Sequence, residues 1–308
     1  ILAPGVTKDV TLVDCVIQGN IRNYGTGEVR FEAPQITPES TATKPSEVYK
    51  PGATLDRTLE YGGKTVPIYR DRPLNVFSDV DFIWTGEENE NQRRLEYLGG
   101  EFRTRYGIDV SSFQGEIDWD AVADDNIDFA MVRVGFRGTG TGSLNTDKYY
   151  EQNIRGAMRA GLETGVYFFA QAVTVEEAIE EAEYVISLLD GLDINGPVAY
   201  DWEMHDSTYR VYGTSPEMAT ACAVAFCERI KDAGYTPMVY GGTYVTYMKY
   251  DQGALADYLS WYPEYKSEKS EKLCPTLVYH MDYWQFSSTR AVAGINGRVD
   301  MNIQFIRR

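Results

Sequence analysis

From residue 106 onward the chain repeats one pattern: a short apolar, β-branched or aromatic run, followed by a helix-length amphipathic stretch. Such alternation is the signature of β/α units around a parallel sheet. Eight runs qualify as strands: 106–111, 129–136, 165–172, 197–203, 236–242, 258–262, 279–286 and 299–305. Eight strands in about 200 residues predict an α/β fold, an irregular (β/α)8-like TIM barrel. Several helix ends are legible between them. Thr174 with Glu177 reads as a capping box, and Ser215 before Pro216 as an N-cap with proline at the first helical position. Gly161 and Gly234 stand where helices should stop. Between the last three strands the intervening stretches are short or polar, so irregularity is expected on that side.

The first hundred residues read differently, and a boundary is expected between 1–104 and a catalytic barrel at 105–308. Segments 9–18 and 27–31 look like strands, and 59–67 like a hairpin turning at Gly62 and Gly63. Residues 33–52 are rich in Pro, Thr, Ser and Glu without an apolar period, which predicts a linker or extended segment. No chemistry is assigned to this β or extended region.

Charge separates the two parts further. Residues 1–105 carry 16 acids and 13 bases, whereas 106–308 carry 30 acids and 16 bases, within a chain of net charge −17. So acidic a surface lacks the clustered Lys and Arg that nucleic acid requires, so nucleic acid is excluded as a partner. No run of about 18 apolar residues exists to span a bilayer. The chain begins at Ile1 rather than Met, which leaves room for a removed signal peptide or an upstream anchor, the one route to a membrane considered. Cys15, Cys222, Cys227 and Cys274 are too scattered for a disulfide framework and form no CxxC pair, so they are expected as buried small hydrophobes.

Functional groups of such barrels collect at the C-terminal ends of the strands. The first strand ends in Asp109, the fourth in Asp201 and Glu203, and the last begins around Asp300. Each carboxylate sits within or beside an apolar run, where a charge is costly unless used or paired. The two-residue strand period places Asp201 and Glu203 on one face, with Trp202 pointing the other way. Two crowded carboxyls cannot both ionise freely, so one keeps its proton near neutral pH. Glycosidic cleavage needs that division: one acid for the leaving oxygen, one partner for the positive charge on the sugar.

Three segments carry a specific resemblance: YGIDVSSFQGEIDW at 106–119, PVAYDWE at 197–203, and YWQFSSTRAVAGINGRVDMN at 283–302. Together they resemble glycoside hydrolase family 25, the Chalaropsis-type lysozymes, over about residues 105–308. The resemblance implies an N-acetylmuramidase on an irregular β/α barrel, hydrolysing the β-1,4 bond between N-acetylmuramic acid and N-acetylglucosamine of peptidoglycan, with no cofactor or metal. It implies a secreted or cell-surface enzyme with peptidoglycan strands as its partner. Carried over by position, Glu203 is the general acid, Asp201 its partner carboxylate, and Asp109 and Asp300 further acids of the pocket.

Tyr167 matches a family aromatic position, although Phe168 replaces the histidine usual after it. Pro263 stands where alanine is expected, and a proline there predicts an edge strand or an early end. An Asp two residues before a catalytic Glu also resembles chitinases that use the substrate's own 2-acetamido group as nucleophile. That route is expected here over an inverting one.

The two histidines, His205 and His280, cannot build a three-histidine metal site. His205, close after Glu203, has two readings, a place lining the cleft or a surface or packing role, and the second is expected. Aromatic rings suit the flat apolar faces of sugars, so among 23 tyrosines and 5 tryptophans, Tyr167, Tyr240, Trp261 and Trp284 near strand ends are candidate subsite walls. The competing readings are a chitinase-like hydrolase of other N-acetylated glycans and a wall-binding module without turnover.

Overall fold

The computed structural model describes residues 10–13, 29–32, 42–52, 54–86 and 93–308. The chain divides into two compact units, Ile1–Ala42 and Thr43–Arg308. In the first, β1 (Val10–Val13) and β2 (Val29–Glu32) pair in parallel. The rest of segment 9–18, residues 27 and 28, and residues 33–41 of the expected linker lie outside the described residues.

The second unit opens with a single helical turn, α1 (Pro45–Val48), in the stretch expected to be extended. Two hairpins follow: β3 (Leu55–Tyr61) with β4 (Lys64–Tyr69), and β5 (Phe82–Thr85) with β6 (Arg94–Tyr97). The first turns at Gly62 and Gly63, whose φ values of +57° and +74° suit the two-residue turn that glycine pairs favour.

The barrel strands are β7 (Phe102–Val110), β8 (Phe129–Arg137), β10 (Glu163–Ala170), β11 (Val198–Trp202), β12 (Pro237–Tyr240), β13 (Leu259–Pro263), β14 (Tyr283–Arg290) and β15 (Val299–Arg307). Among the described residues, short β9 (Leu144–Thr146) pairs only with β8. The ring runs β8-β10-β11-β12-β13-β14-β15-β7 and closes where β7 meets β8. It is mixed: β15 runs antiparallel to both β14 and β7, and the other neighbours are parallel. Helices α2 (Trp119–Asp124), α3 (Tyr150–Arg159), α4 (Val175–Leu188), α5 (Pro216–Asp232) and α6 (Thr243–Met248) follow β7 to β12, and none of the described residues forms a helix between β13, β14 and β15. The antiparallel last strand needs no crossover helix, so the closed eight-stranded barrel is regular only in part.

Thr174 and Ser215 accept from the backbone N–H groups of Glu177 and Met218 and so cap α4 and α5. The Glu177 carboxylate reaches back to the N–H of Val173 rather than that of Thr174. Gly161 and Gly234 leave their helices at φ of +86° and +91°. Cys222 and Cys227 are buried in α5 and unbridged.

Within the second unit the packing does not break at 104/105. Val66 and Ile68 of β4, Phe82 and Leu95 join the same buried core as Phe102, Trp284 and Phe305. Pro263 ends β13, yet β13 is no edge, because ring closure gives it β12 and β14 as neighbours.

Candidate active site

Strand alternation sorts the side chains. On β11, Val198, Tyr200 and Trp202 join the core between barrel and helices, while Ala199 packs inside the ring with Met131, Met238 and Tyr283. Above that plug the inward positions turn polar. Asp109, Asp201, Glu203 and Asp300 all line one cavity of about 230 Å³ at the C-terminal ends of the parallel strands. A second cavity of about 360 Å³ adjoins it, and the two share Glu203, Tyr240 and Tyr265 as common wall. Glu203 therefore stands at the junction of a two-part groove.

Asp109 is fixed by two side-chain donors, Gln285 Nε2 and Asn302 Nδ2, each 2.8 Å from its Oδ2. These are oriented in turn: Trp261 Nε1 donates to Asn302 Oδ1 at 2.8 Å, and the hydroxyls of Tyr240 and Tyr265 donate to Gln285 Oε1 at 3.2 and 3.1 Å. Asp300 stands opposite Asp109 across the β15–β7 ladder. Burial pushes Asp109 up to about 6, against the lowering effect of its amide donors. Burial and the neighbouring Asp109 push Asp300 up to about 8. The pair therefore holds a proton at neutral pH.

Asp201 is buried, its Oδ1 has no hydrogen-bond partner among the described residues, and burial followed by the charge of Glu203 holds its carboxyl well above the usual carboxylate range. Glu203 is a quarter exposed, and its Oε2 lies 2.6 Å from Nε2 of the exposed His205. From behind, Gln171 Nε2 donates to the Glu203 carbonyl at 2.8 Å, while Arg210 binds the Gln171 carbonyl and Glu177 on α4. The loop bearing the acid is thus tied to α4.

Of the aromatic residues expected at the site, Tyr167, Tyr240 and Trp261 line the acidic cavity. Trp284 does not join them: it faces outward from β14, fully buried, with Nε1 on the Glu264 carbonyl and its ring against Phe82 and Phe286. Its neighbours Tyr283 and Gln285 take the inward positions. Phe168 likewise faces out, against Tyr184.

Residues not singled out from the sequence also line the cavity: Arg133, Gln285, Phe113 and Tyr265. Arg133 had a legible signal, a charge inside the apolar run of β8, which is costly unless used. Gln285 lies within one of the quoted motifs. Phe113 and Tyr265 lie just beyond strand ends, where side-chain direction depends on the turn. Among the described residues no cluster of metal-binding side chains occurs, and no helix is long and apolar enough to cross a membrane.

An acid-lined cavity at the carboxyl ends of a mixed barrel defines the class of protein, and comparison with known proteins defines the family. The model of glycosyl hydrolases family 25 matches residues 108–295, and the chain belongs to that family. It is 26% identical over 197 residues to the autolytic lysozyme of Clostridium acetobutylicum, covering 64% of this chain and 54% of that one. To lysozyme M1 of Streptomyces globisporus it is 27% identical over 201 residues, 64% of this chain and 66% of the relative. The chain thus spans about half the length of the first relative and about two thirds of the second. Its fold is similar to that of the bacterial lysozyme from Streptomyces coelicolor, with a TM-score of 0.52 and 25% identity over 64% of this chain and 90% of that one. It also resembles the Clostridium perfringens spore cortex lytic enzyme SleM, with a TM-score of 0.56 and 22% identity over 65% and 67% of the two chains.

Proposed function

We propose that this protein is an N-acetylmuramidase that hydrolyses the β-1,4 bond between N-acetylmuramic acid and N-acetylglucosamine in peptidoglycan, acting outside the cell or at the cell wall. One observation carries the reading: in a family 25 chain, Asp201 on β11 and Glu203 just past its end line one cavity together with Asp109 and Asp300. Among the described residues every side chain lining that cavity comes from 105–308, which form the catalytic part, and Val66, Ile68, Phe82 and Leu95 buttress it from the shared core.

Glu203, at the junction of the two cavities, protonates the leaving glycosidic oxygen. Asp201 lies deeper and receives the N–H of the substrate's 2-acetamido group. That bond supplies the partner its Oδ1 lacks and draws its raised pKa down. The oriented acetamido oxygen attacks the anomeric carbon as the leaving oxygen departs with the Glu203 proton. Water then opens the resulting ring with Glu203 as base, which retains the anomeric configuration. Asp109 and Asp300 share a proton opposite and bind sugar hydroxyls. Tyr167, Tyr240 and Trp261 supply the flat apolar wall.

The test is to incubate purified peptidoglycan with the wild-type protein and with Glu203→Gln, reduce the products with borohydride and identify the ends by mass spectrometry. New reducing ends on muramic acid that fall by about 10²- to 10⁴-fold in the variant support the reading. Ends on glucosamine would reassign the bond. NMR of the first-formed anomer checks the route, since immediate release of the α-anomer would exclude participation by the acetamido group.

A further inference from the structure

The acidic cavity holds four carboxyl groups and, among the described residues lining it, one cation, Arg133. Its guanidinium is a costly thing to place on the inner face of a barrel strand. Asp147, fully buried, accepts from Nε at 2.9 Å and pairs with Nη2 at 2.8 Å. Nη2 also donates to Ser112 Oγ at 3.2 Å. Nη1 has no hydrogen-bond partner among the described residues, which leaves one edge of the fork free. The charge of Arg133 reaches both Asp201 and Tyr167 across the cavity. Over the guanidinium, 5.1 Å from ring centroid to Cζ, lies Phe113, 85% exposed and lining the same cavity.

An exposed ring and a cation with an unused donor edge make a corner that suits a sugar carrying an oxygen-rich substituent. N-acetylmuramic acid differs from N-acetylglucosamine by one substituent, a lactyl ether on O3. We propose that Arg133 is a specificity-determining residue that donates from Nη1 to a carboxyl or amide oxygen of that lactyl group, with the Phe113 ring covering the sugar beside it. This rests on the muramidase reading and adds the group by which the site tells peptidoglycan from chitin. Asp147 fixes the plane of the fork, so the donor edge is oriented before substrate arrives. Because the cavity's other charge-bearing side chains among the described residues are all carboxyl groups, a free lactyl carboxylate would be repelled without this residue.

The experiment uses the full chain carrying Glu203→Gln, so that glycans bind without turnover. Calorimetry compares two hexasaccharides: a glycan strand stripped of its stem peptides, which bears free lactyl carboxylates, and a chitin oligomer of the same length. The expected result is at least tenfold tighter binding of the lactyl-bearing strand. Adding Arg133→Gln removes that preference while changing chitin affinity by less than threefold, and Arg133→Lys retains part of it. Phe113→Ala weakens both ligands alike, because a ring stacks on either sugar.

Equal loss on both ligands in Arg133→Gln would show that Arg133 only holds the Ser112 turn and would overturn the proposal. Absence of a preference, or of binding to either oligomer, would overturn it as well. Turnover of peptidoglycan by the wild-type chain is read separately. A lactyl preference without new muramic reducing ends would sink the muramidase reading and leave the recognition corner standing.

Discussion

Asp109, Asp201 and Asp300 are chemically the same side chain, and their surroundings set them apart. Asp109 has two amide donors and is raised to about 6, Asp300 has none among the described residues and is raised to about 8, and Asp201, buried beside Glu203, is held well above the usual carboxylate range. A carboxyl whose folded pKa lies above its unfolded value near 3.8 stabilises the fold fully below that value. As pH rises toward about 8 the unfolded chain releases its proton while the folded one retains it, and this contribution is lost. Asp300→Asn is therefore expected to melt several degrees above the wild type near pH 9, with the gap closing near pH 4. Calorimetric Tm values across that range check the sign, and a gap that widens at low pH would contradict the assignment. The same residues show what a sequence reveals: a carboxylate inside an apolar run is conspicuous wherever it stands, and so, by the same rule, is Arg133. Trp284 was selected as an aromatic residue near a strand end, and neither type nor nearness to the end says which side of the ring it faces.

At the scale of elements, the site depends on how the β11–α5 connection is anchored. Gln171, just past β10, clamps the Glu203 carbonyl, and Arg210 ties the same loop to Glu177 at the start of α4. Glu181, fully buried on α4, accepts from both Arg137 and the Gln171 N–H, and burial pushes it up to about 7. Loss of the clamp should let the acid drift. Gln171→Ala is expected to lower kcat by about tenfold with little change in KM, since a misplacement of about 1 Å can cost a hundredfold. Steady-state kinetics alongside Tm separates this from simple unfolding, and a KM effect alone would argue that Gln171 touches substrate instead. The caps at Thr174 and Ser215 were legible because a cap is a local hydrogen bond. The pairing of Glu177 with Arg210 was not, because 33 residues separate them.

Across the whole molecule, Val66, Ile68, Phe82, Leu95 and Phe102 belong to the barrel's core although the family match begins only at residue 108. Ile68 of β4 is fully buried, so Ile68→Ala is expected to destabilise the entire second unit by about 2–5 kcal/mol in one cooperative transition. Denaturant titration checks this, and two separate transitions would mean that the hairpin unfolds alone. The net charge of −17 sets the long-range field. Against walls carrying anionic polymers, activity is expected to rise with ionic strength as repulsion is screened over a Debye length of about 10 Å at 0.1 M salt, and a flat profile in a turbidity assay would refute it. The amino-acid sequence by itself determined the approximate positions of the eight barrel strands, the helix ends at Gly161, Thr174, Ser215 and Gly234, and the spacing of Asp201 and Glu203 at a strand end, because alternation, capping and the two-residue strand period act within a few residues. The tertiary structure alone decided that β15 closes the ring antiparallel, setting Asp300 beside Asp109, that Arg133 and Tyr265 join the cavity while Trp284 leaves it, and that the N-terminal hairpins share the core. Those outcomes depend on ring closure, register and packing between segments as much as 200 residues apart, which no local rule encodes.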